Sequence, residues 1–76
     1  MSYSNNIIEE LNVLSLFNLN TDLEGIKVHS AAGEVKVLAA QRLFDKGLTS
    51  QKDGGYLTSL GRTAAEHAQG LLQILK

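Results

Sequence analysis

The sequence predicts a mainly α-helical domain with one two-stranded β-hairpin. Three observations lead there. Apolar residues recur at helical spacing in the first, middle and last parts of the chain. Residues 46–62, KGLTSQKDGGYLTSLGR, interrupt that pattern with a turn signal between two short apolar segments. The chain has 76 residues and is 43% hydrophobic, which fits one folded domain and argues against disorder.

The first helix is expected over 5–16, with Ser4 as N-cap and Glu9 and Glu10 in its first half. Ile7, Leu11 and Leu14 fall on one face, flanked by Ile8 and Phe17, while Val13 and Leu16 project off it. Residues 18–21 read as a loop. A short helix is expected over 22–28, capped by Thr21 and weakened by Gly25. The next helix should cover 31–46, starting at Ala31 or Glu34 because Gly33 sits awkwardly in its first turn. Val37, Ala40, Leu43 and Phe44 form its buried stripe, with Leu38 and Ala39 beside them, and Gly47 stops it. The hairpin spans 48–57, turning at Asp53-Gly54 or Gly54-Gly55. Either register puts Leu48 and Leu57 on one face. Thr58 caps the last helix, 59–75, whose stripe is Leu60, Ala64, Ala68, Leu71 and Leu75, widened by Ala65, Leu72 and Ile74.

Composition excludes several function classes. There is no cysteine, so disulfides and thiolate zinc sites are ruled out, and a reducing compartment suits the chain. No apolar run approaches the ~20 residues that span a bilayer. The start, MSYSNN, lacks a basic secretory signal. The expectation is a cytoplasmic protein without membrane contact. His29 and His67 have no metal-ligand spacing, and each reads as a cap or a partly buried polar residue. A hairpin turn accounts for Gly54-Gly55 without a phosphate cradle. No nucleophile, base and orienter fall together, so neither an enzyme nor a cofactor is expected.

Charge is unevenly divided. Residues 1–26 hold Glu9, Glu10, Asp22 and Glu24 and no Lys or Arg, a net of −4. Residues 27–76 hold seven bases against four acids, a net of +3. Such asymmetry marks either a polyanion-facing surface or chance segregation.

The order Leu43-Phe44-Asp45-Lys46-Gly47-Leu48, a polar turn, then Tyr56-Leu57-Thr58-Ser59-Leu60-Gly61-Arg62 resembles winged-helix bacterial regulators. In those families a recognition helix ends in a pattern like L-x-x-K-G-L, a wing follows, and L-T-x-x-G opens the next helix. The resemblance covers roughly residues 22–66. Through DGGYLTSLGR and AAEHAQ, the whole chain also resembles a small uncharacterised bacterial family carrying a DNA-binding label. What this implies is a winged-helix domain and a transcription-associated role on double-stranded DNA, with the fold itself deciding neither. The helix ahead of the recognition helix is short, and the wing tip offers only Lys52 as a cation.

Under that reading, helix 31–46 enters the major groove. Lys36 and Gln41 face outward, together with Glu34 and Asp45. Lys36 and Lys46 would neutralise phosphates, Gln41 or Arg42 would read a base edge, and Lys27, Ser30 and Lys52 would touch the backbone. The two carboxylates weaken such a footprint. Val13, Leu16, Leu71, Leu72, Ile74 and Leu75 exceed one small core's needs and are the expected homodimer interface. The rival reading is an interaction or dimerisation module without DNA contact, favoured by a blocked recognition helix.

If Gly54 holds positive φ in the turn, Gly54→Val should destabilise by about 1 kcal/mol or more. An unaltered thermal midpoint would place the turn elsewhere.

Overall fold

The computed structural model describes residues 3–21 and 23–76. Along the chain lie α1 (Asn5–Leu14), β1 (Ile26–Lys27), a single 3-10 turn η1 (Ser30–Ala32), α2 (Glu34–Asp45), β2 (Thr49–Gln51), β3 (Gly54–Leu57) and α3 (Ser59–Leu75). The three helices enclose one core, and the strands form a small antiparallel sheet ordered β1-β3-β2.

Local chemistry sets most helix ends. Ser4 Oγ accepts the Ile7 N–H at 3.2 Å and opens α1. Thr58 Oγ1 accepts the Gly61 N–H at 3.0 Å and opens α3. Gly47, at φ 79°, closes α2. Its N–H donates to Phe44 O and that of Leu48 to Leu43 O, both at 2.9 Å, a Schellman ending that satisfies two orphan carbonyls. α1 stops at Leu14, two residues earlier than expected. Gly33, at φ 102° and ψ 152°, separates η1 from α2, so the expected helix 31–46 is shorter and begins at Glu34.

The helix expected over 22–28 is absent: Asp22 lies outside the described residues, and the rest of the span bends at Leu23 and extends into β1. Thr21 Oγ1 accepts the Leu23 N–H at 3.1 Å, making a local turn instead of a helix cap. Tertiary pairing overrides a weak local preference here. Ile26 pairs with Gly55 and Lys27 with Gly54, so the sheet has three strands, one more than the expected hairpin.

The turn also moves. Gln51 pairs with Gly54, which puts Lys52 and Asp53 at its centre, ahead of both expected positions. Gly54 and Gly55 become the start of the middle strand, with φ of 124° and 71°. A Cβ on Gly54 would lie 2.7 Å from Ile26 O, and one on Gly25 equally close to Gly55 O. The register slips between Thr49 and Gln51, and Ser50 Oγ accepts the Tyr56 N–H at 2.9 Å in the resulting bulge.

The core comprises Val13, Leu14, Val28, Ala39, Ala40, Leu43, Ala65 and Ala68, with Leu11, Leu48 and Leu57 packed against it. Phe17 is also buried. Val13 is fully buried, whereas Ile7 and Ile8 are exposed, so α1 is rotated from its expected phase. α3 is rotated too. It buries Gly61, Ala65 and Ala68 and turns Leu60, Leu71 and Leu75 outward. Gly61 is the cause. A Cβ there would overlap the Leu48 carbonyl oxygen and lie 2.7 Å from its carbon. Helix α3 therefore meets the backbone of the α2–β2 link directly, and only small residues fit that face.

Gly61→Ala should destabilise by about 2 kcal/mol or more through overpacking against a main chain. Gly70, exposed and with open space where a Cβ would stand, provides the contrast. Gly70→Ala should stabilise by up to about 1 kcal/mol. Urea unfolding of both variants checks the pair, and equal effects would mean that α3 does not rest on the Leu48 main chain through Gly61.

Candidate functional site

The cations expected to meet DNA fold instead onto the acids of α1. Glu10 is the hub, its side chain only 8% exposed. It accepts from Arg42 Nε at 3.1 Å through one oxygen and from Lys46 Nζ through the other. Arg42 Nη2 also donates to Asn6 O at 3.2 Å, near the start of α1. At the neighbouring position of α1, Glu9 Oε1 meets Lys36 Nζ at 3.2 Å. The −4 and +3 segments thus complement one another within the chain.

Burial pushes the Glu10 carboxyl up, but hydrogen bonds from Lys46 and Arg42 and their charges outweigh it, and the net shift is downward. Hydrogen bonds from Lys36 and then Asn12 also hold Glu9 below its usual value.

With Lys36, Arg42 and Lys46 so engaged, the outward stripe of α2 is Glu34, Leu38, Gln41 and Asp45, all exposed. Gln41 alone of the helix residues expected to read or neutralise DNA faces solvent without an ion pair among the described residues. A carboxylate stands near each end of that stripe. Lys27, Ser30 and Lys52 are exposed. Pairing of Lys27 with Gly54, just past the Lys52-Asp53 turn, brings both lysines to the same end of the sheet.

The expected dimer residues divide. Val13 is in the core, because α1 turns it between α2 and α3. Leu72 is half-buried, and Leu16 is exposed. Leu71, Ile74 and Leu75 are 56%, 82% and 72% exposed, and Leu60, expected in the core, is 60% exposed. Leu60, Ala64, His67, Leu71 and Ile74 follow spacings of 4, 3, 4 and 3, a heptad pattern along one line of the helix. His67 and His29 are both exposed, neither capping a helix with its side chain nor partly buried.

Sequence reasoning missed three residues that place these surfaces. On its own element Glu10 reads only as a dipole partner, although the charge segregation was the signal for more. Gln69 Nε2 donates to Leu14 O at 3.2 Å and Phe17 O at 2.7 Å, satisfying carbonyls at the end of α1. Arg62 Nη2 donates to Leu19 O. Nothing local marks those two side chains, whose partners lie 43 to 55 residues apart.

Glu10→Gln should cost about 1.5–3 kcal/mol, the usual worth of hydrogen bonds to a charged group. Because the folded pKa of Glu10 is depressed, its contribution is present above the ordinary value of 4.5 and is lost as pH falls through the folded value. Chemical denaturation at pH 7 and pH 3 checks both. The gap between the wild type and the variant should narrow in acid, and a gap as wide at pH 3 as at pH 7 would remove the carboxylate as its cause.

Among the described residues no helix is long and apolar enough to cross a membrane, and no three His, Cys, Asp or Glu gather as metal ligands. Comparison with curated proteins and with solved structures finds no match. A family model described as "Family of unknown function (DUF5669)" matches residues 1–76, and the chain belongs to that family.

Proposed function

We propose that this protein is a small self-associating interaction module, winged-helix-like in chain path, in which α3 of one copy docks on α3 of another. The observation that carries this reading is the heptad-spaced line Leu60, Ala64, His67, Leu71 and Ile74: Ala64 packs against the edge of the core, and the other four stay exposed because α3 buries its small face instead. Heptad apolar stripes are what paired helices bury. A two-fold pair is the commonest way to cover such a face. The order of helix, hairpin and helix supports the winged-helix-like path, while the segment preceding α2 offers one 3-10 turn in place of a first helix-turn-helix helix.

DNA recognition through α2 is the weaker reading. The ion pairs to Glu9 and Glu10 hold its two cations, Lys36 and Arg42, and Lys46 at its C-cap, and Glu34 and Asp45 would face the phosphates. One observation favours a lesser DNA contact: Lys27 and Lys52 share the turn end of the sheet. Two phosphate contacts would give a log–log salt slope of about −2. A fluorescence-anisotropy titration of duplex DNA at two salt concentrations reads that slope. A much steeper slope would return α2 to the interface.

Light scattering tests self-association. The expected mass is twice that of the 8.2 kDa chain. Ile74→Asp should return it to a monomer with its helical content intact, since Ile74 takes little part in the core. A monomeric wild type, or a dimer indifferent to Ile74→Asp, would overturn the proposal.

A further inference from the structure

A second surface lies away from α3. Between the end of α1, β1 and η1 runs a groove of ≈ 390 Å³. Its floor is apolar: Leu16, Ile26 and Val28, with the small side chains of Ala31 and Ala32. Its rim carries Lys27, the imidazole of His29 and Lys36, the last held by Glu9 at 3.2 Å. Among the described residues the lining holds no carboxylate.

β1 also forms an outer strand of the sheet. The Val28 N–H donates inward to Asp53 O at 2.7 Å. In an antiparallel ladder the direction alternates, so the Lys27 N–H and C=O point outward, away from β3. An exposed edge of this kind accepts an added strand, with main-chain bonds giving affinity and adjoining pockets giving side-chain selection.

From this we infer that the groove binds an extended segment of another protein that alternates apolar and acidic residues. The apolar side chains enter between Leu16, Ile26 and Val28, the carboxylates meet Lys27 and His29, and the main chain pairs with Lys27. Charge selects this occupant over the end of a second copy's α3, which carries Lys76 and no acid in its last turns. The site lies on different elements from the α3 stripe, so either surface can fail without the other.

Selection of phage-displayed random linear peptides on the full chain tests the inference. Enriched peptides should alternate acidic and apolar residues. Titrated into ¹⁵N-labelled protein, a synthetic copy of one should shift Lys27, His29, Ala31 and Ala32. Lys27→Glu should weaken that peptide roughly tenfold, by exchanging an attraction for a repulsion. Its circular dichroism should not change, because Lys27 is exposed. Enrichment of basic sequences, no enrichment, or shifts confined to α3 would overturn the inference. So would loss of self-association in Lys27→Glu, which would give the groove to a second copy, or displacement of the peptide by duplex DNA.

Discussion

The Glu10 carboxylate, held between Arg42 and Lys46, is the contact around which the rest is arranged. Isolated surface ion pairs contribute little, but this carboxylate is nearly enclosed and would be costly without its cations. Two partners on one helix fix both the rotation and the height of α1 on α2. That rotation sends Val13 inward and leaves Ile7 and Ile8 outside. It also consumes the cations that a DNA-reading helix would present. The same interaction therefore builds the core and shapes what α2 offers to solvent.

Main-chain contact is the second constraint. Gly61 lets α3 rest on the Leu48 carbonyl, and Gly25 and Gly54 let β1 lie close against β3. Such contacts need the absence of a side chain, so they select glycine for space as well as for φ. With α3 seated on Gly61, Ala65 and Ala68, its larger residues Leu60, Leu71, Ile74 and Leu75 stay exposed. A small domain buries a modest fraction of its surface, and part of the shortfall here falls on α3, where Leu60, Leu71, Ile74 and Leu75 stay exposed. The apolar stripe of α3 follows from the packing of its opposite side.

The groove beside β1 has a similar origin. The expected second helix gives way to a two-residue strand and one 3-10 turn, which cover less surface than a helix would. Leu16, Ile26 and Val28 are left lining an open channel beside the outer edge of β1. Both surfaces offered for partners thus arise where an element turned out smaller, or was rotated, relative to the pattern in the sequence.

What the sequence determined by itself is local. Ser4 and Thr58 capped their helices, Gly47 ended α2, and α3 spans the expected residues 59–75, because each depends on neighbours within a turn of chain. The DGG segment announced a hairpin but not its register, since Gly54 and Gly55 are also needed as strand residues against Ile26 and Lys27. Tertiary structure alone decided β1, the phases of α1 and α3, and the pairing of acids with the α2 cations. Periodicity shows that α3 is apolar over two adjoining stripes, and it cannot say which one meets the core. That choice rests on Gly61 meeting Leu48, and on Gln69 and Arg62 reaching carbonyls 43 to 55 residues away, contacts that exist only once the chain has folded.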